Sequence, residues 1–164
     1  MMTALLYLGI FLLTFLAMEF SAWFMHKYVM HGFLWTLHED HHKPELKKGF
    51  FERNDAFALF YATLSATFII LGTNSPYFWL TFVGFGIMAY GVVYFLIHDV
   101  YIHKRFSWFR HLDSKYSRAI LRAHGAHHTY RDKEDGESFG LLIVHPKYFK
   151  SRKERRRMEA EAEH

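Results

Sequence analysis

The chain has no cysteine among its 164 residues. That excludes disulfides, thiolate nucleophiles and cysteine-held zinc or iron–sulfur sites together, so any metal must be taken by nitrogen or oxygen. Charge is missing from three long stretches: Thr3 to Met18, Ala56 to Thr73 and Ser75 to Ile97 contain no Asp, Glu, Lys or Arg. Basic residues are absent before Lys27 and again between Arg53 and Lys104. No basic n-region opens the chain and no A-x-A-like cleavage site precedes Glu19, so the first apolar run is expected to be a retained span, not a signal peptide. A nucleotide-binding loop is also lacking. "GFGIMA" (Gly84 to Ala89) fits G-x-G-x-x-A in form only, since it lies inside an apolar run with no strand before it.

What is present is half apolar and one-fifth aromatic. A bilayer core needs about 20 apolar residues as helix, so the runs predict three spans, at about 3–25, 56–73 and 77–97. The fold class expected is all-α: an integral membrane helical bundle with a cytoplasmic histidine-rich di-metal site. Residues 1–145 form the membrane-embedded part and 146–164 a basic cytoplasmic tail, whose "KSRKERRRMEAEAEH" (150–164) is read as a solvated helix near anionic headgroups. All 20 Lys and Arg fall in two stretches, so the positive-inside rule puts the N-terminus outside and both stretches in the cytoplasm. The formal charge of +4 is then mostly a topology signal. No basic stretch interleaves with exposed-looking aromatics in a soluble segment, and no nucleic-acid partner is expected.

The 13 histidines are not scattered. His26 and His31 (H-x4-H) precede His38, His41 and His42 (H-x2-HH); His98 and His103 precede His124, His127 and His128 with the same two spacings. This is an internal repeat, each copy opening where a span ends. In an α-helix positions i and i+4 share a face, so His38 with His42 and His124 with His128 point together, with the middle histidine about 60° to one side. Positions i and i+5 diverge by about 140°, which suits two neighbouring ions or a helix end that distorts. Ten imidazoles exceed the four to six ligands of one ion and fit two six-coordinate ions with a position or two left over. His111, His145 and His164 have no place in the repeat and read as amphipathic anchors.

Imidazole alone leaves zinc, copper, nickel and iron open. "HEDHH" matches H-E-x-x-H, so a membrane zinc metalloprotease using His38, Glu39 as base and His42 is an alternative from a different class. It leaves most of the other histidines unexplained, and "HGAHH" has Gly where that Glu would stand. A metal transporter would place its ions near the midplane, whereas the only acid within a span is Glu19.

The words "MHKYVMHG", "HEDHHKP", "FERNDAFALF", "AYGVVYFLIHDVYIHKR", "RAHGAHH" and "DGESFGLL" together resemble the bacterial beta-carotene hydroxylases of the fatty acid hydroxylase and sterol desaturase superfamily. The resemblance covers roughly residues 18–146; "FSWFRHLDSKYSRA" (Phe106 to Ala119) has no residue-by-residue match. It implies that the ten repeat histidines ligate two non-haem irons. The implied reaction is O2-dependent hydroxylation of beta-ionone rings at C3, taking beta-carotene to zeaxanthin through cryptoxanthin, or canthaxanthin to astaxanthin. A fatty acyl or sterol hydroxylase or desaturase is the runner-up. Electrons would come from an external ferredoxin-like donor with its reductase, docking on the basic cytoplasmic face of a bacterial inner membrane, while the carotenoid arrives from the lipid.

Five polar residues are candidates for orienting the ligands: Glu19, Asp40 beside His41, Asn54 and Asp55 of "FERND", and Asp99 beside His98. Each has a plainer reading. Solvated helix-end acids account for Asp40 and Asp99, a capped hydrated pocket for Glu19, and an N-cap on the second span for Asn54 and Asp55. "SFGLLIV" (Ser138 to Val144) is too short to cross and is expected to pack under the metal site.

Overall fold

The computed structural model describes residues 2–108, 112–129, 136–151 and positions 154, 157 and 161; His111 and His164 lie outside them. The described residues are helical, with no strand. Helix α1 (Met2–Phe24) runs without a break into a π-helical stretch, Met25–Phe33, so the first helical rod is longer than the expected span. Helix α2 (Trp35–His42) turns back beneath it. Helices α3 (Asp55–Thr73) and α4 (Trp79–Phe95) form a hairpin, α4 continues as a second π-helical stretch, Leu96–Ile102, and α5 (Lys115–His127) follows. Ser114 and Ser117 make a reciprocal capping box that starts α5.

Three of these rods, Met2–Phe33, Asp55–Thr73 and Trp79–Ile102, are long and apolar enough to cross a membrane. Leu5, Leu13, Leu16 and Leu59 stand more than 60 % exposed on them, a surface that suits lipid and not water. Helix α4 packs against both α1 and α3. Its glycines allow the approach: a Cβ on Gly84 would meet Ile69 and the Ser65 carbonyl under 3 Å, and one on Gly86 would meet Phe11 and Thr14 of α1. Ser65 Oγ donates to the Gly84 carbonyl at 2.8 Å across the same contact. Met18, Ile87 and Tyr90 fill the core where α1 meets α4.

Residues 136–143 carry no regular structure and lie against α1. The main-chain N–H groups of Leu141, Leu142 and Ile143 all donate to Glu19 Oε1, at 3.0, 2.8 and 2.9 Å, while Tyr90 donates to Glu19 Oε2 at 2.7 Å. Glu19 is thus the anchor of this segment, an acid in the span that satisfies backbone donors lacking a helix of their own.

Candidate metal centre

Each H-x4-H pair sits on π-helical backbone. A π turn closes with an i to i+5 hydrogen bond, and here the His103 N–H donates to the His98 carbonyl at 2.9 Å. After α1 the Leu34 N–H donates to the Val29 carbonyl at 3.0 Å, an i to i+5 bond at the end of Met25–Phe33, where Gly32 departs from helical geometry. The wider turn brings i and i+5 to one side, removing the divergence an α-helix would impose. The His26 and His31 ring centroids are 5.2 Å apart and those of His98 and His103 are 4.5 Å apart. Of the two routes open from spacing, the helix ends distort and each pair serves one cluster.

The H-x2-HH helices then divide their histidines. His26, His31, His38, His42 and His127 place one nitrogen each within 4.8 Å of one another, and His41, His98, His103 and His124 do the same. His128 joins the second group, its Nε2 2.8 Å from His124 Nε2. The middle histidine of each H-x2-HH, offset round the helix, crosses to the set built by the other repeat: His41 joins the ligand candidates of α4 and α5, and His127 joins those of α1 and α2. All ten are buried except His103 and His128, which are half-buried.

The outward nitrogens fix the rings. Nδ1–H of His26 donates to the Phe139 carbonyl at 2.9 Å, that of His127 to the Glu137 carbonyl at 3.0 Å, and that of His38 to Asn54 Oδ1 at 2.7 Å. His41 Nδ1 pairs with Glu52 Oε2 at 2.9 Å and His98 Nδ1 with Asp99 Oδ2 at 3.2 Å. A neutral imidazole that donates through Nδ1 presents a bare lone pair at Nε2. Yet His26 Nε2 lies 3.1 Å from His38 Nε2, two acceptors face to face, and His41 Nε2 is buried with no hydrogen-bond partner. A cation among them removes both conflicts. Nitrogens on opposite sides of an ion stand about 4.2 Å apart at bond lengths near 2.1 Å, within the spread of each set.

Burial also keeps these groups unprotonated. Desolvation pushes His38, His41, His124 and His128 well below the ordinary imidazole value, and takes His127 down to about 3 and His103 to about 2. Neutral nitrogen is the form a metal binds.

The five outer candidates separate. Asn54 and Asp99 each hold an imidazole, and Asn54 makes no side-chain cap on α3. Asp40 Oδ2 accepts from the Arg53 N–H at 2.7 Å, while its buried Oδ1 has no hydrogen-bond partner. Asp55 pairs with Arg105, whose guanidinium also holds Asp99 at 2.6 Å and the Phe50 carbonyl at 2.9 Å. These carboxylates raise the Arg105 pKa. Among the described residues Glu19 bonds to no histidine; it holds the segment whose Glu137 and Phe139 carbonyls do. Glu52 was not singled out, because it lies in a loop outside the histidine repeat, although it stands in the same "FERND" word as Asn54 and Asp55. Main-chain carbonyls leave no mark in a sequence at all. Glu39 accepts from Lys43 Nζ at 3.1 Å, one turn on along α2. His145, outside both sets, accepts from the Lys147 N–H at the start of a short 3-10 turn.

Fold and site together define a helical protein with membrane-crossing helices and a paired polyhistidine centre at one end of them. The chain belongs to the fatty acid hydroxylase family, whose model matches residues 11–149. It is 42 % identical over 135 residues to the beta-carotene hydroxylase of Pantoea ananas, covering 81 % of this chain and 74 % of that one. The beta-carotene hydroxylase of Pseudescherichia vulneris is 40 % identical over 136 residues, 82 % of this chain and 75 % of its own. The chloroplastic beta-carotene 3-hydroxylase 1 of Arabidopsis thaliana is 39 % identical over 132 residues, 77 % of this chain and 40 % of that longer one. No solved structure gives a significant match.

Proposed function

We propose that the protein is a carotenoid 3-hydroxylase, an O2-dependent non-haem di-iron monooxygenase that hydroxylates beta-ionone rings. Beta-carotene would go to zeaxanthin through cryptoxanthin, and canthaxanthin to astaxanthin. The observation that carries this reading is an apolar cavity of about 650 Å³ among α1, α3 and α4, lined at its inner end by His26 and His98, one from each histidine set. An apolar ring seated there lies beside both sets. Kinship with beta-carotene hydroxylases of two bacteria supplies the substrate class.

In this reading His26, His31, His38, His42 and His127 hold one iron, and His41, His98, His103, His124 and His128 the other. When bound, the irons supply the O2 activation that hydroxylating a C–H bond demands. The protein's own part is to place and to exclude. Asn54, Glu52 and Asp99 fix the imidazole orientations, and the Phe139 and Glu137 carbonyls do the same from below. Phe57, Ile87 and Tyr90 line the cavity with buried surface that keeps water from the ring. Arg105, tied to Asp55, Asp99 and the Phe50 carbonyl, closes the end nearest the metals.

Reducing equivalents come from an external ferredoxin-like donor and its reductase, docking at the histidine end where the basic residues gather. That end faces the cytoplasm of a bacterial inner membrane, with the N-terminus outside. The zinc protease is disfavoured because Glu39 is engaged by Lys43, not aimed at the rings. The test is pigment mass in bacterial cells that accumulate beta-carotene, with and without the protein. Gain of one and two oxygens, absent with His124→Ala, supports the reading; unchanged pigment beside folded, iron-loaded protein overturns it.

A further inference from the structure

The cavity is shorter than the substrate proposed for it. Its upper end is shut where α3 and α4 touch: Gly84 admits no Cβ against Ser65 and Ile69, and Gly72 none against Thr81. From Ile69, the last residue of α3 to line the cavity, down to Asn54 is fifteen residues, roughly 22 Å at 1.5 Å per residue. A carotenoid with two end rings is about as long as the bilayer core is thick, roughly 30 Å. With one ring at the histidines, roughly a quarter of the molecule must lie outside.

We propose that it leaves sideways, through a gap between α3 and α4 edged by Ala58 and Ala62 on one side and Met88 and Val92 on the other; this rests on the carotenoid reading above. All four line the cavity and are exposed, Met88 by 47 % and Val92 by 53 %. The antiparallel hairpin sets them opposite one another: Gly72 meets Thr81 and Ser65 meets Gly84, so the register carried on brings Ala62 near Met88 and Ala58 near Val92. Ala58, Ala62 and Ala66 fall at i, i+4 and i+8, one face of α3 that offers only methyl groups, so a flat chain lies close against the backbone.

The wall suits hydrocarbon. Three of its four hydroxyls are spent within the protein: Tyr61 and Ser21 hydrogen-bond each other at 2.8 Å, Tyr90 donates to Glu19, and Ser65 donates to the Gly84 carbonyl, while the fourth belongs to Tyr94, whose ring stacks on His98 at the histidine end. The polyene midsection of a carotenoid, with no polar group to pair, fits this gap. The ring enters and leaves through it from the bilayer, and the distal ring stays among the lipids.

The absence of native cysteine makes the test clean. Ala62→Cys, Ala58→Cys and, as control, Leu13→Cys on the lipid face of α1 outside the cavity are prepared in nanodiscs and reacted with an apolar maleimide, with and without beta-carotene. Carotenoid at about ten times its dissociation constant should slow labelling of A62C about tenfold, because only the empty fraction reacts. L13C should be unaffected, and A58C should repeat the result should A62C fail to fold. Equal rates with and without carotenoid in both α3 variants overturn the gap. Hydroxylation by the wild type without protection of A62C or A58C sinks this inference alone; protection without hydroxylation keeps the gap and sinks the functional reading.

Discussion

His127 Nε2 stands 3.0 Å from His42 Nε2, although 85 residues separate them in the chain. The contact ties the end of α5 to the end of α2, and His41, crossing the other way, brings its ring within 4.8 Å of that of His98. Neither histidine set is complete without a residue from the other repeat. Neither half of the chain alone holds a whole set.

Glu52 is expected to matter for metal retention without touching the metal. Its Oε2 accepts from His41 Nδ1 while Oε1 takes Lys47 Nζ at 2.7 Å, a fixed acceptor in a buried site. Glu52→Ala should weaken metal binding about 10- to 100-fold, the usual loss when a ligand's outer partner is removed. Glu52→Gln keeps an oxygen for the imidazole and should lose less. Competition with a chelator reads both, and an unchanged affinity in Glu52→Ala would remove the assigned role.

Glu19 is expected to act through the backbone it anchors. Glu19→Ala leaves three main-chain N–H groups and the Tyr90 hydroxyl without their acceptor, a loss of about 3 kcal/mol or more. Gly140→Ala strains the same clamp, since its Cβ would stand 2.9 Å from Glu19 Oε1. Both should lower the thermal midpoint in detergent and loosen metal binding together, because the freed segment carries the carbonyls that orient His26 and His127.

The metal-free protein should be acid-sensitive. His38, His41, His103, His124, His127 and His128 all titrate below the ordinary value of 6.5 when folded, so below that pH the unfolded chain binds more protons. Their stabilising neutrality is complete above about pH 6.5 and is lost as pH falls, towards about 3 for His127 and about 2 for His103. Each adds up to about 1.4 kcal/mol per pH unit to the slope within its window. Denaturant melts of the apo protein between pH 7 and pH 4 should show falling stability, and metal should shift the fall to lower pH.

Much of this was legible beforehand because it rests on periodicity. Charge-free runs mark the crossing helices, and a doubled H-x4-H, H-x2-HH spacing marks the histidines that meet. The division of the sets was not legible, since it depends on π-helical turns at the ends of two helices and on how α2 and α5 dock. His41 and His42 are neighbours in sequence and belong to different clusters. Asp40 and Asp99 look alike from sequence, each next to a histidine, yet Asp99 pairs with His98 while Asp40 accepts from the Arg53 N–H.

Glu39→Gln separates hydroxylase from protease. Glu39 is half-buried and pairs with Lys43 along one helix face, an arrangement worth about 0.5 kcal/mol. The variant should fold, bind metal and keep its activity on carotenoid within about twofold. Loss of all activity with metal retained would restore Glu39 as a general base.

Iron content of purified protein, for the wild type beside His41→Ala and His127→Ala, tests the paired centre most directly. About two irons per chain are expected in the wild type, with each single variant holding about one, and each losing it from the set to which its imidazole crosses. One iron per chain in the wild type, or zinc in place of iron, would contradict a centre built from two shared histidine sets.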